Sequence, residues 1–369
     1  MFFNQEVTME RVFNFSAGPS TLPVEVLEKA SKDMMNFNGS GMSVMEMSHR
    51  SSEYGAIQAD AKASLRSLLS LDENHDVLFL QGGGSLQFTM IPLNLLSEED
   101  SASYVISGSW AKKAYQEAAK LRKVNVMSSS EEDGFSYFPE ISADKMKPTD
   151  KYIYTCVNNT IYGTRLAPEK LASVDATLVC DMSSNILTES YDFNKPGLIF
   201  AGAQKNLGAS GVTVVVLNKE LLATKEGELP TMLDYRTHIE KDSMFNTPPC
   251  YNIYICGLVL DWVKRMGGVS AMEARNKEKA KLLYDTIDNS ALFKNNIPEG
   301  DRSLTNIVFV TGSKDLDAEF VKGAKEKGIV NIKGHRSVGG MRASLYNAME
   351  LEGVKRLVDY MKEFERNNG

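Results

Sequence analysis

Seven short apolar runs, separated by helical or polar stretches, predict an α/β fold with a large domain on a mainly parallel seven-stranded sheet. The runs are continuous rather than alternating, as expected of strands covered on both faces. A long helical pattern then follows Pro248-Pro249 and ends at Gly267-Gly268. Beyond it, three more strand-like runs mix with helices, which predicts a smaller C-terminal α+β domain.

In chain order, residues 23–37 read as a first helix, with Val24, Leu27, Ala30 and Met34 at helical spacing. The apolar runs are 77–80, 104–106, 124–126, 152–154, 177–180, 198–200 and 212–216. Tyr251, Tyr254, Ile255, Leu258, Val259, Trp262, Val263 and Met266 follow a 3-4-3 spacing, so one helix covers them. A second helix starts near Ser270 and runs to about Asp288. Residues 307–310, 330–332 and 341–345 read as strands; 316–327 and the series from Leu351 to Phe364 read as helices. The domain break is expected between Gly257 and Asn276. We set an N-terminal segment at 1–15, a large domain at 16–265 and a small domain at 266–369.

The 369 residues carry 41 Lys plus Arg against 48 Asp plus Glu, a net charge of -7. That balance, with no long basic run, argues against nucleic-acid and membrane-surface binding. Any bound anion must be held by a local pocket against the global sign. Cys156, Cys180, Cys250 and Cys256 form no CxxC pair and cluster with no histidines, so they read as free thiols and no metal site is expected. The first fifteen residues carry Glu6, Glu10 and Arg11 and lack the apolar core of a signal peptide. No stretch approaches the ~20 apolar residues of a membrane span. A cytoplasmic location is expected.

Three segments carry chemistry. Gln81-Gly82-Gly83-Gly84-Ser85 follows an apolar run and opens a helix. Backbone amides at such a helix start bind phosphate. It matches neither a dinucleotide fingerprint nor a P-loop, and a merely structural tight turn is the other reading. Lys205, in Ala203-Gln204-Lys205-Asn206, ends another apolar run. A strand-end lysine makes sense if its amine is bound to an aldehyde cofactor; the alternative is a surface lysine in a loop. Asp181, after Cys180, could hold a pyridine nitrogen protonated, or simply cap a helix. Together, a phosphate cup, a carboxylate and a lysine at strand ends are what a pyridoxal 5'-phosphate site on an α/β sheet requires.

Several blocks then resemble one family. They are Asn14-Phe15-Ser16-Ala17-Gly18-Pro19, Ser48-His49-Arg50, Ala203-Gln204-Lys205-Asn206, Met244-Phe245-Asn246-Thr247-Pro248-Pro249, and the stretch from Lys333-Gly334-His335-Arg336 to Met341-Arg342-Ala343-Ser344. In this order they resemble the phosphoserine aminotransferases, in the class V group of fold-type I pyridoxal phosphate enzymes. The resemblance covers essentially the whole chain. It implies a homodimer with shared sites. It implies that Lys205 carries the cofactor, Asp181 meets its ring nitrogen, Trp110 stacks on the ring and Thr160 bonds the ring hydroxyl. It further implies that Gly84, Ser85 and Gln204 hold the cofactor phosphate, joined by Asn246 and Thr247 from the other subunit. By the same resemblance His49, Arg50, His335 and Arg336 surround the substrate's distal anion, and Arg342 forks its α-carboxylate. Ser85 is a departure, since several family members carry arginine there, and the missing charge leaves open what holds the substrate phosphate.

The implied reaction moves the amino group of L-glutamate to 3-phosphohydroxypyruvate, giving O-phospho-L-serine and 2-oxoglutarate in serine biosynthesis. The analogous phosphohydroxythreonine step of vitamin B6 synthesis is a second possible use. The rivals are another fold-type I enzyme, such as a small-amino-acid aminotransferase or a cysteine desulfurase, and a non-catalytic phosphate- or nucleotide-binding protein. For a desulfurase, Cys250 at the start of a helix is a poor mobile nucleophile.

Overall fold

The computed structural model describes residues 11–223 and 227–368; of the N-terminal segment 1–15, residues 1–10 lie outside the described residues. The strands are β1 (Phe13–Asn14), β2 (His75–Leu80), β3 (Ser101–Ile106), β4 (Lys123–Ser129), β5 (Asp150–Cys156), β6 (Leu178–Asp181), β7 (Leu198–Gly202), β8 (Thr213–Asn218), β9 (Asn306–Phe309), β10 (Ile329–Val330) and β11 (Met341–Ser344). The helices are α1 (Val24–Asp33), α2 (Ser52–Leu68), α3 (Gly83–Leu95), α4 (Ser109–Ala118), α5 (Pro168–Ala172), α6 (Tyr235–Glu240), α7 (Cys250–Arg265), α8 (Gly268–Asp288), α9 (Lys314–Glu326) and α10 (Leu351–Asn368).

All seven apolar runs become strands of one sheet, ordered β2-β8-β7-β6-β5-β3-β4. Strands β4, β3, β5, β6 and β7 are parallel, and β8 runs antiparallel to both β7 and β2. Successive side chains point to opposite faces, and both faces are covered. Phe79, Ile153, Cys180, Ile199 and Val214 pack with Ile57 and Leu65 of α2 and Ile253 and Leu260 of α7. Leu78, Tyr104, Tyr154, Phe200 and Val215 pack with Phe88 of α3 and Ala114 of α4. Edge strand β4 alone in this sheet has no buried residue, and its Lys123, Asn125 and Ser128 blunt the free edge.

The first helix differs from expectation. It spans Val24–Asp33 rather than 23–37, and its buried face is Val26, Ala30 and Asp33. Val24 and Leu27 lie on the exposed side. Asp33 turns inward because Lys29 and the Tyr254 hydroxyl both bind its carboxylate, at 2.8 and 2.5 Å. A buried carboxylate with two donors thus sets the rotation of the helix, which apolar spacing does not register. Strand β10 is also shorter than expected. Asn331 adopts a left-handed φ of 62° and donates to Asn14 Oδ1 at 2.8 Å, which ends the strand there.

A third core gathers Phe293, Phe309, Phe320 and Phe364 around the β9–β11 pair, with α8, α9 and α10. Phe15 belongs to it, since β1 pairs in parallel with β10. Lys279 of α8 is buried and donates at 2.9 Å to the carbonyls of Leu345, Tyr346 and Met349. Burial, with Arg275 nearby, pushes its ammonium down to about 7. Among the described residues no helix is long and apolar enough to cross a membrane.

Candidate active site

Strand ends build the site. After β7, residues 203–208 turn back on themselves, with the amides of Leu207 and Gly208 both donating to the Ala203 carbonyl. Gly208 is needed there, because a Cβ would come within 3.2 Å of the Cys256 backbone on α7. The turn is clamped from both sides. Ser20 donates through its amide to the Gln204 carbonyl and through its hydroxyl to the Lys205 carbonyl, and the Asn347 amide donates to Asn206 Oδ1. Lys205 is therefore no loose surface lysine. Its amine donates to Thr160 Oγ1 at 2.7 Å.

Asp181 ends β6, opposite Cys156 of β5, and is 7% exposed. Its Oδ1 accepts the Ser183 amide at 2.9 Å. No regular helix follows, so helix capping does not explain the residue. Burial raises the Asp181 pKa, and the Lys205 charge opposes that. Burial lowers the Lys205 pKa, and the Asp181 charge opposes that. The two groups thus sense one another across the same cavity.

That cavity has a volume of ≈ 180 Å³. Lys205, Asp181 and Thr160 line it, together with Gly84, Ser85, Gln204 and Trp110. Gly82 takes a left-handed φ of 86°, and α3 starts at Gly83. A Cβ on Gly84 would sit 3.3 Å from the Phe200 ring, so glycine lets the helix start close over β7. The amides of Gly84 and Ser85 lie in the first helical turn, where no earlier carbonyl can take them. The residues fit pyridoxal phosphate. An amine suits its aldehyde, a carboxylate its ring nitrogen, free helix-start amides its phosphate, and Trp110 its ring. No group of three or more His, Cys, Asp or Glu among the described residues is placed to hold a metal.

The substrate residues divide. Arg342 of β11 donates through Nη1 to the Thr160 carbonyl at 3.2 Å, while its buried Nε has no partner. Arg342 does not itself line the cavity, but an unpartnered guanidinium nitrogen on a side chain bound to cavity-lining Thr160 suits an incoming carboxylate. His335 is held by Ser337, its Nδ1 2.7 Å from the hydroxyl. Burial lowers its pKa, and so do the charges of Arg342, Arg336 and Lys113. Arg336 itself is exposed. His49 and Arg50 precede α2 and do not line the cavity. His49 Nε2 is buried without a partner. Asn246 and Thr247 also stay outside it, beside Gln81: Asn246 Nδ2 donates to Gln81 Oε1 at 3.3 Å, and Gln81 Nε2 to the Thr247 carbonyl at 3.2 Å.

The sequence reading missed Asn158 and Ser184. Both line the cavity and both join a buried polar seam. Asn158 Nδ2 donates to Ser184 Oγ at 2.9 Å and to Asn306 Oδ1 at 2.8 Å, and Asn158 Oδ1 accepts from Ser303 at 2.6 Å. Asn306 Nδ2 continues to Ser344 Oγ and the Tyr346 hydroxyl, which donates to the Ala17 carbonyl. The only signal was the Asn158-Asn159-Thr160 run directly after an apolar strand.

The model of the family Aminotransferase class-V matches residues 12–357. A phosphoserine aminotransferase of Bacillus cereus is 52% identical over 361 residues, covering 98% of this chain and 100% of that protein. One from Listeria monocytogenes is 51% identical, over 96% and 97% of the two chains. Among solved structures, the phosphoserine aminotransferase from Bacillus circulans subsp. alkalophilus superposes with a TM-score of 0.92 at 42% identity, covering 97% and 99%. The pyridoxal-phosphate-bound enzyme from Trichomonas vaginalis gives 0.88 at 39% identity, covering 95% and 100%.

Proposed function

The chain belongs to the class-V aminotransferases, as a member of the phosphoserine aminotransferases, and we propose that it moves the amino group of L-glutamate to 3-phosphohydroxypyruvate. It is a pyridoxal-phosphate-dependent transaminase. The observation that carries our reading is the strand-end pair Lys205 and Asp181 in one cavity, with Arg342 bound to the carbonyl of its lining residue Thr160 and its Nε buried without a partner. When bound, the cofactor supplies an aldehyde that condenses with amines and a protonated ring that draws electrons from the substrate carbon. In our reading Lys205 would hold the cofactor covalently through its amine. Its lowered pKa favours the neutral amine, the form that can lift a proton from the substrate α-carbon. Asp181 holds negative charge opposite the ring nitrogen. Gly84, Ser85 and Gln204 seat the phosphate. Trp110 covers the ring face. Arg342 orients the α-carboxylate of either substrate, and His335 and Arg336 face the second anion that each one carries.

A substitution pair tests this division. Losing a charged hydrogen-bond partner costs about 1.5–3 kcal/mol, roughly ten- to a hundredfold. Arg336→Ala should therefore collapse the ratio of kcat/KM for 3-phosphohydroxypyruvate over pyruvate. Arg342→Ala should lower both efficiencies and keep the ratio near its wild-type value. An intact ratio in Arg336→Ala would mean that the phosphate is held elsewhere. The phosphohydroxythreonine substrate keeps the carboxylate and the phosphate that these residues address and sets them one carbon further apart. The desulfurase alternative finds no support: Cys250 is buried at the start of α7, and burial raises its thiol pKa.

We also infer a homodimer with shared sites. His49, Arg50, Asn246 and Thr247 lie outside their own chain's cavity, and the apolar Met45 and Phe245 near them are 59% and 44% exposed. Covering these side chains with a second copy supports the reading. Mixing inactive Lys205→Ala chains with inactive Asn246→Ala/Thr247→Ala chains should restore activity, because a hybrid dimer has one site free of both lesions. Absence of recovery despite confirmed subunit exchange would count against sharing. We take residues 16–265 as the cofactor domain and 266–369 as the domain that completes the substrate side. The four cysteines are free and buried, in keeping with the reducing cytoplasm, where we expect the enzyme to work.

A further inference from the structure

Ser85 leaves the first turn of α3 without a side-chain cation, yet the substrate in the reading above is a phosphate ester. A positive charge stands against a cavity-lining residue from another helix. Lys113 lies one turn after Trp110 on α4, and its ammonium sits 4.5 Å from the centroid of the Trp110 ring. Trp110 itself lines the cavity. The attraction between an ammonium and an indole face holds this long, exposed side chain against Trp110, next to the cavity that Trp110 lines.

Its neighbour shows the contrast. Lys112 is paired with Glu131, whereas Lys113 makes no ion pair with any described carboxylate. Beyond burial, the positive charges of Arg342, Arg336 and Lys113 lower the His335 pKa, so these three cations share its surroundings. Cations gathered without a counter-charge repel one another, and in a chain of net charge -7 such a local excess is matched to an anion that arrives from outside. The shapes of the donors also divide the work. The planar guanidinium of Arg342 suits a planar carboxylate, while a compact ammonium suits a tetrahedral phosphate as a point charge.

We propose that Lys113 is a specificity-determining residue, supplying from α4 the positive charge for the substrate phosphate that Ser85 does not supply from α3. The assignment rests on the phosphoserine aminotransferase reading for the identity of the substrate, though not for the presence of an anion site. It separates the two substrates. Lys113 addresses the doubly charged phosphate of the acceptor more than the singly charged side-chain carboxylate of glutamate.

The test uses the holoenzyme with Lys113→Gln, Lys113→Arg and, as a charge-matched control, Lys112→Gln. Two quantities are measured: KM for 3-phosphohydroxypyruvate and for glutamate, and the inhibition constant of inorganic phosphate competing with glutamate. Lys113→Gln should raise the first KM and the phosphate inhibition constant about tenfold, the low end for one charged partner. The glutamate KM should change about twofold or less, Lys113→Arg should recover most of the loss, and Lys112→Gln should match the wild type. Equal behaviour of Lys113→Gln and Lys112→Gln would overturn the assignment, as would an equal loss for both substrates. A wild-type enzyme that binds phosphate but does not prefer 3-phosphohydroxypyruvate to pyruvate would sink the functional reading instead, and the phosphate constants would still decide on Lys113.

Discussion

Lys205→Ala should lower turnover by about 10⁴-fold or more, since on the proposed roles one substitution removes both the covalent attachment and the proton-transferring base. The fold should survive. The turn at 203–208 is held by backbone groups, the Ser20 hydroxyl and Asn206, none of which needs the Lys205 side chain. The amine makes one described hydrogen bond, to Thr160, whose hydroxyl would then face the cavity. Borohydride reduction of the wild-type holoenzyme followed by peptide mapping checks the attachment. The pyridoxyl group should appear on Lys205, and its recovery on Lys195 or another lysine would refute the assignment. The variant should still hold the cofactor without a covalent bond, because helix-start amides and Trp110 remain.

Asp181→Asn should lose about 10³-fold in single-turnover rate, the scale of removing one preorganised electrostatic partner from a water-excluded site. An amide keeps an oxygen to accept the Ser183 amide, so local geometry should hold. It carries no charge, so it cannot keep a ring nitrogen protonated. Stability gives an independent readout. The folded-state pKa of Asp181 is raised above its ordinary 3.8, so the folded protein favours the protonated carboxyl. The carboxylate therefore weighs against the apo fold as pH rises through and above that range. At neutral pH the cofactor-free variant should unfold no more easily than cofactor-free wild type. Near-normal turnover in Asp181→Asn would contradict the role, and a large drop in thermal midpoint would show that the residue matters for folding instead.

The sheet was legible in the sequence because a strand covered on both faces must be a continuous apolar run, and six of its seven strands carry one; edge strand β4, with Asn125 between Val124 and Val126, does not. Lys205 and Asp181 stood out for a related reason: each is a charged residue at the end of such a run, where charge is costly without a task. The face of α1 was not legible, because Asp33 is turned inward by Tyr254, a partner 221 residues away in sequence. The same distance problem hid Asn158 and Lys113. Asn158 acquires its meaning from Asn306 and Ser303, and Lys113 from a tryptophan one turn back and a histidine on another element. His49-Arg50 drew notice as a His-Arg pair able to clamp an anion, Asn246 and Thr247 gained their reading from family resemblance, and none of the four lines the cavity of its own chain.

The buried seam from Ser184 through Asn158 and Asn306 to Tyr346 and Ala17 has a thermodynamic consequence. Each donor in it is matched to an acceptor out of contact with water, so swinging the small unit away would strand several polar groups at once, each at about 1–3 kcal/mol. Such openings are rare, and the seam's amides and hydroxyls occupy one arrangement for nearly all of the protein's lifetime. The entropy lost in fixing that wall of the cavity belongs to folding and is not lost again when a substrate arrives. Ordering on binding is then confined to what the seam does not reach, chiefly the exposed turn of Arg336, Ser337 and Val338. Calorimetry of substrate binding should accordingly yield a small entropic penalty for a ligand with this much charge.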